Sequence, residues 1–279
     1  MVTVEQVEEF RKNGYVVARG VFPPEEIERL RGHYMSLREK GAHPGDFGGV
    51  DPTSADPLKR FPRMIHMHRW DETSLQWLID ARLNEWMTAL LGAEPYAVQT
   101  MLYFKPAGAR GQALHQDQYY LRVQPGTCLA AWMALDDCDE ENGCMRVVPG
   151  SHDLPVLCTK SADTSVSFTD VTAPIPEGAS VTPVEMAAGD VFFFNGSVIH
   201  GSYPNVSRDR FRRALIGHYI VGEAEKVASY YHPVLRMDGS EVALGVSQGG
   251  GPCGVWAVRD GQPVVEMAEP AGPALALHE

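Results

Sequence analysis

From Gly92 onward, turn residues punctuate the chain at short intervals, and that texture limits the folds open to it. Strand-like runs at 97–105, 114–121, 127–135, 145–148, 181–186, 190–195 and 212–221 are separated by segments such as PAGARG, DEENG, PGSHD and PIPEG. Gly supplies positive φ and Pro a fixed φ without a backbone donor, so such clusters end one strand and turn the chain into the next. Many short strands at this spacing predict a β-sandwich or barrel. The 27 Gly and 20 Pro in 279 residues exceed the ~12% of an average chain and argue against a helix bundle.

Helical signals are concentrated in the first third. Thr3 and Gln6 have capping-box spacing, Val7 and Phe10 follow on one face, and Gly14 is a stop signal. Ile27, Leu30, Tyr34 and Leu37 alternate by three and four, predicting a second helix from Pro23-Pro24-Glu25 to Gly41. Residues 42–62 read as a long loop. A third helix is expected from about Thr73 to Leu91, burying Leu75, Leu78, Ile79, Leu83, Trp86 and Leu90, with Gly92 as terminator. The helices are too small a unit to fold alone. The expectation is one domain over 1–279: mainly helical support and a lid loop at 1–92, a β core at 93–222, and a C-terminal extension at 223–279.

Charge and cysteine usage exclude several classes. Asp and Glu number 36 against 24 Lys and Arg, a net charge of −12, so no basic footprint for nucleic acid or anionic membrane is present. No apolar run approaches the ~20 residues of a membrane span, and the acidic N-terminus does not read as a secretory signal. The five cysteines form no CxxC pair. A disulfide framework or zinc knuckle is therefore not expected, and reduced thiols in a cytoplasmic protein are. The oligomeric state is not legible.

Three places could carry chemistry. In Ala113-Leu-His115-Gln-Asp117-Gln-Tyr-Tyr, a strand would put His115 and Asp117 on one face. That is two thirds of a 2-His-1-carboxylate set, which binds Fe(II) and leaves positions open, although a single H-x-D is a weak signal. Val191-Phe-Phe-Phe-Asn-Gly-Ser-Val-Ile-His200 offers a third ligand after a buried aromatic strand. Arg208-Asp-Arg210-Phe-Arg212-Arg213 then places two adjacent arginines at a strand start, where one can face the interior and bind a carboxylate with its planar fork. His66 and His68 also alternate by two, but no carboxylate completes them. His218 reads as a barrel-lining core residue on the face of Arg212 and Ile216.

In this order the residues resemble the phytanoyl-CoA dioxygenase family. Phe10-Arg-Lys-Asn-Gly14-Tyr-Val-Val and Gly20-Val-Phe-Pro-Pro-Glu-Glu-Ile look like its N-terminal signature. Ala131-Trp132-Met-Ala-Leu-Asp136-Asp, Glu141-Asn-Gly143-Cys-Met, Val148-Pro-Gly-Ser-His152 and His200-Gly-Ser202 look like its later motifs. The resemblance implies an all-β core with flanking helices, a double-stranded β-helix (jelly-roll, cupin-like) barrel. It also implies the use of Fe(II), with 2-oxoglutarate and O2 as cosubstrates. His115, Asp117 and His200 would then be the iron ligands. Arg212 would clamp the distal carboxylate of 2-oxoglutarate with Ser202 beside it, although the spacing leaves Arg213 and Arg210 open for that role. Trp132 and Met101 match pocket-lining positions, and Arg63 is a candidate upstream basic contact. Because the carboxylate ligand is present, hydroxylation or a related oxidation is expected rather than halogenation.

The competing enzyme reading is a metal-dependent cupin-like isomerase or hydrolase that does not use 2-oxoglutarate. An interior carboxylate clamp at Arg212 is what separates the two. A non-catalytic binding protein is a third reading, which the intact ligand set opposes. The expected partner is a small-molecule substrate such as a natural-product or secondary-metabolite intermediate. The absence of a dense basic cluster disfavours a CoA thioester, and segments 42–72 and 245–254 are candidate lids.

Overall fold

A computed structural model of the chain describes residues 2–46, 48–249, 252–259 and 261–268. Helix α1 (Val4–Asn13) begins with the expected capping box, in which the Gln6 amide donates to Thr3 Oγ1 and the Thr3 amide to Gln6 Oε1. It ends at Gly14, whose φ of 80° suits a residue without Cβ. Helix α2 (Pro24–Glu39) follows, and a short α3 (Pro57–Arg60) lies inside the 42–62 loop. The single helix expected over 73–91 is instead two, α4 (Glu72–Leu78) and α5 (Ala81–Leu91). Asp80 breaks it: its carboxylate accepts the Arg82 amide at 2.8 Å and starts α5 as an N-cap. A one-turn helix, α6 (Gln118–Leu121), lies within the β region.

The strands in chain order are β1 (Tyr15–Ala18), β2 (Met64–Ile65), β3 (Tyr96–Lys105), β4 (Gln112–His115), β5 (Cys128–Ala134) and β6 (Met145–Val147). They continue with β7 (Lys160–Ser161), β8 (Val171–Thr172), β9 (Thr182–Val184), β10 (Val191–Asn195), β11 (His200–Ser202) and β12 (Arg212–Ile220). A large sheet runs β1-β10-β5-β12-β3 and continues into 234–235 and 241–242, with β2 also against β3. A smaller sheet runs β4-β11-β6-β9. Every pairing in these two sheets is antiparallel. The two form the jelly roll.

The large sheet is buried on both faces, which explains why its strands read as continuous apolar runs. One face meets the helices: Leu102, Met133, Phe193, Leu215 and Tyr219 pack with Phe10, Leu30, Tyr34, Leu83 and Met87. The other faces the small sheet, where Met101, Trp132, Phe192, Phe194, Ala214 and Ile216 join Met145 and Val147. Alternation along each strand thus divides the sequence between a helix-side core and an interior chamber.

The cysteine expectation fails at one pair. Cys158 and Cys253 form a disulfide across 95 positions of sequence. The hairpin of 253–259 and 262–268 docks beside the 156–158 segment, where Cys158 N donates to Gly254 O and Gly254 N to Val156 O. Parity and short-range spacing cannot report a pair brought together by docking of this kind. Cys128, Cys138 and Cys144 are free and buried. Within the lid candidate at 245–254, Gly250 and Gly251 lie outside the described residues, as does 269–279 of the C-terminal extension. Among the described residues no helix is long and apolar enough to cross a membrane.

Phe193 stacks on Trp86 with ring centroids 5.4 Å apart and is fully buried between helices and sheet. Its replacement by Ala leaves a large cavity that rigid neighbours cannot close. Urea denaturation of Phe193→Ala should show a loss of about 3–5 kcal/mol.

Candidate metal centre

The centre is built on a cross-strand pair of the small sheet. His200 on β11 is directly opposite His115 on β4, which brings the imidazole centroids to 4.2 Å. The strands approach so closely that a Cβ on Gly201 would sit 2.7 Å from Gln112 O and 3.0 Å from Ala113 O. Asp117 reaches the pair by a different route from the one expected. The strand predicted over 114–121 stops at His115, and Asp117 is already helical (φ −62°, ψ −31°) as the cap of α6. Its position is set by that turn, which the Gln118 amide anchors on Gly196 O, and not by strand alternation.

The candidate ligand atoms lie within 4.8 Å of one another. Asp117 Oδ1 is 3.4 Å from His115 Nε2 and 3.7 Å from His200 Nε2. Each imidazole is oriented from behind: His115 Nδ1 donates to Ala113 O at 2.9 Å and His200 Nδ1 to Val198 O at 3.0 Å. With the proton held on Nδ1, the lone pair of each Nε2 faces the shared centre. Burial, reinforced by the neighbouring His115, pushes His200 down to about 4, so it is neutral at pH 7. Burial opposes ionisation of Asp117, but the surrounding His200 and His218 and its contacts with His115 and His218 outweigh it and hold the carboxyl well below its usual range. Two imidazole nitrogens and one carboxylate suit a divalent transition-metal cation.

Farther along the interior face of β12 lies a second polar centre. Arg212, fully buried, donates from Nε to Gly143 O at 3.2 Å, with Trp132 5.2 Å from the guanidinium carbon. Gly143 has φ 88°, and a Cβ there would meet Lys105 Cδ and Tyr203 O at 2.7 Å. The three neighbouring arginines differ in their counterions. Arg213 makes a bidentate pair with Asp136, at 2.7 and 2.6 Å. Arg210 bonds Asp139 at 2.6 Å and Glu141 at 3.3 Å on the surface. Arg212 has no carboxylate within ion-pair distance among the described residues.

The sequence model of the family "Phytanoyl-CoA dioxygenase (PhyH)" matches residues 10–214. The chain belongs to the phytanoyl-CoA dioxygenase family. Family membership brings Fe(II), 2-oxoglutarate and O2 as its cofactor and cosubstrates, and the His-Asp-His group is one that could hold the metal. Phytanoyl-CoA dioxygenase 1 of Oryza sativa subsp. japonica is 29% identical over 142 residues, which is 50% of each chain. The peroxisomal phytanoyl-CoA dioxygenase of Bos taurus is 25% identical, over 78% of this chain and 68% of that protein. The matched stretch thus spans between half and about two thirds of these relatives' length. Among solved structures, the epimerase SnoN in complex with Fe3+, alpha ketoglutarate and nogalamycin RO superposes with a TM-score of 0.64 at 22% identity. That match covers 79% of this chain and 84% of SnoN, and it shows the shared fold.

The structure therefore brings together His115, Asp117 and His200, and separately Arg212, Ser202 and Trp132. Met101 lies on the same interior face, beside Ile216 and Ile65. Arg63 donates to the Tyr103 hydroxyl at 3.2 Å and lies over the Tyr103 and Phe168 rings. His66 and His68 lie outside the metal group. His218 does line the chamber as expected, but the sequence did not reveal its partner: Nε2 donates to Asp117 Oδ2 at 3.2 Å. Lys105 was missed altogether. It shares the interior row of β3 with Met101 and Tyr103, so alternation from Met101 was the available signal.

Two outcomes follow. Because His218 steadies the free oxygen of Asp117, His218→Leu should weaken Fe(II) binding by about 10–100-fold in anaerobic titration. In the metal-free protein, burial pushes His66 down to about 3 and His68 to about 4. The unfolded chain protonates these groups below about 6.5 while the folded chain does not. Stability should therefore fall as pH drops from 6.5 towards 4, by about 1.4 kcal/mol per pH unit for each group. Urea unfolding of His66→Asn should show a shallower decline over that window.

Proposed function

We propose that the chain is a non-haem Fe(II)- and 2-oxoglutarate-dependent oxygenase that hydroxylates, or otherwise oxidises, an unactivated C–H bond of a small molecule. The helical segment, jelly roll and C-terminal extension would act as one domain. The observation that carries this reading over a cupin-like hydrolase or isomerase is the buried Arg212 guanidinium, without a carboxylate partner among the described residues, on the β12 row whose other end, His218, bonds Asp117. A buried guanidinium demands an anion, and a 2-oxo acid bound to the metal at one end would present its distal carboxylate there.

In this reading His115, Asp117 and His200 hold Fe(II), which when bound supplies oxygen activation coupled to oxidative decarboxylation of 2-oxoglutarate to succinate and CO2. The protein's part is positioning and exclusion of water. Arg212 binds the carboxylate, Ser202 offers a hydroxyl beside it, and Trp132 covers the guanidinium face. Met101 and Ile216 wall the space between the two centres with apolar surface. Arg63, linked to the chamber through Tyr103, is a contact at its margin rather than part of the clamp. SnoN was crystallised with nogalamycin RO, and a natural-product intermediate is the substrate class we favour. The absence of a dense basic cluster in the sequence fits an uncharged compound better than a polyanionic thioester.

Anaerobic addition of Fe(II) and then 2-oxoglutarate should produce a weak charge-transfer band in the visible, and O2 should then yield succinate. Absence of both would overturn the oxygenase reading. His115→Ala should abolish tight iron binding. Arg212→Ala should keep iron but bind 2-oxoglutarate about 100-fold more weakly, as expected for loss of one member of a buried charge pair.

A further inference from the structure

Lys105 is the least explained charge-bearing group in the molecule. It ends β3 directly opposite Arg212 on β12, and both side chains are fully buried. Gly143 touches both, giving its carbonyl to Arg212 and leaving room for the lysine stem. Lys105 Nζ donates to Ser202 Oγ at 2.7 Å and to Tyr203 O at 2.5 Å. No carboxylate among the described residues lies within ion-pair distance of it.

The charged and titratable groups around Nζ are named by their elements. Arg212 faces it from β12, Arg146 from β6, and the Cys138 and Cys144 thiols from the turn before β6. Burial pushes Cys138 up to about 11 and Cys144 up to about 12, so neither supplies an anion. Tyr203 contributes its carbonyl. The surroundings are thus two guanidinium groups, two neutral thiols and neutral oxygens.

Hydrogen-bond geometry fits a neutral amine. An NH2 group has two N–H donors and one lone pair, and two acceptors use both donors. An ammonium would hold a third N–H without a partner, buried between like charges. Burial and Arg212 act in the same direction, lowering the lysine well below its usual range. A carboxylate arriving beside Arg212 and Ser202 reverses this balance. It would meet a lone pair on a neutral amine but a charge-assisted donor on an ammonium.

We propose that Lys105 is a second contact for the distal carboxylate of 2-oxoglutarate, and that it takes one proton from solvent as the cosubstrate binds. This rests on the oxygenase reading and goes beyond it. The amine becomes an ammonium, the dicarboxylate remains a dianion, and the buried arrangement ends as two cations around one carboxylate. Cosubstrate affinity therefore falls as pH rises, because binding needs a proton that is scarcer at high pH. The second cation also makes the site select a dicarboxylate over a 2-oxo acid with an apolar tail.

The test uses the anaerobic Fe(II) holoenzyme with two probes, 2-oxoglutarate and 2-oxovalerate, which lacks the distal carboxylate. Calorimetry in two buffers of different ionisation enthalpy should report uptake of about one proton per 2-oxoglutarate bound in the wild type. Lys105→Met should abolish that uptake and weaken 2-oxoglutarate about tenfold or more, while 2-oxovalerate binding barely changes. Lys105→Arg, permanently charged, should also show no uptake but keep the preference for the dicarboxylate, and it serves where the Met variant does not fold. Uptake that persists in either variant overturns the proposal. So does equal weakening of both probes in Lys105→Met, which is the signature of a strut that only holds Ser202 and Tyr203. If wild-type holoenzyme binds 2-oxoglutarate without proton uptake, this inference fails and the oxygenase reading stands. If it binds no 2-oxoglutarate at all, the oxygenase reading fails first.

Discussion

Burial of β12 on both faces is the constraint on which the rest of the structure depends. The strand pairs with β3 on one side and β5 on the other over most of its length. Its outward residues fasten the helices: Leu215 packs into their core, and the Tyr219 hydroxyl donates to Leu78 O at 2.7 Å. Its inward residues are Arg212, Ala214, Ile216 and His218, which form one row along the chamber. A slip of one residue would exchange the two rows. It would move Leu215 and Tyr219 into the chamber and bury Arg212 and His218 against the helices, so helix packing and site geometry are held by the same register.

The two ends of that row are electrically opposite. At one end His218 meets a carboxylate, and Asp117 is surrounded by imidazoles that favour its ionised form. At the other end Arg212 and Lys105 are buried without an anion among the described residues. Several other buried or half-buried arginines are paired: Arg213 with Asp136, Arg38 with Asp46, Arg82 with Glu26 and Asp80. Removing one partner of a buried ion pair costs about 3–5 kcal/mol. A fold that tolerates an unpaired guanidinium there is less stable than it could be, and in the proposed function what it keeps is a receptor for a carboxylate.

Much of this was legible in the chain. The cap of α1, the interruption at Gly92 and the order of the main strands follow from local rules, because capping residues, turn residues and apolar alternation act over a few positions. The histidines at 115 and 200 could be singled out for the same reason. Asp117 joins the two histidines by the first turn of α6, whereas the sequence expectation brought its carboxylate there on a continuing strand. The break at Asp80 was missed because apolar periodicity runs through it without a gap, and only the side chain's capping bond reveals the new start. The choice among Arg210, Arg212 and Arg213 could not be made from spacing, since each lies a residue or two from the next. It was made by where Asp136, Asp139 and Glu141 lie after folding.

The sequence by itself determined the fold class, the family and the identity of the three candidate ligands. Those depend on residue type and order, which folding does not alter. Only the tertiary structure decided which of Arg210, Arg212 and Arg213 has no carboxylate partner among the described residues, that Lys105 stands beside it, that His218 holds Asp117, and that Cys158 meets Cys253. Each of these is a contact between residues about seventy to a hundred positions apart. Its energy depends on burial and on distances of a few ångströms, and no local pattern in the chain encodes either.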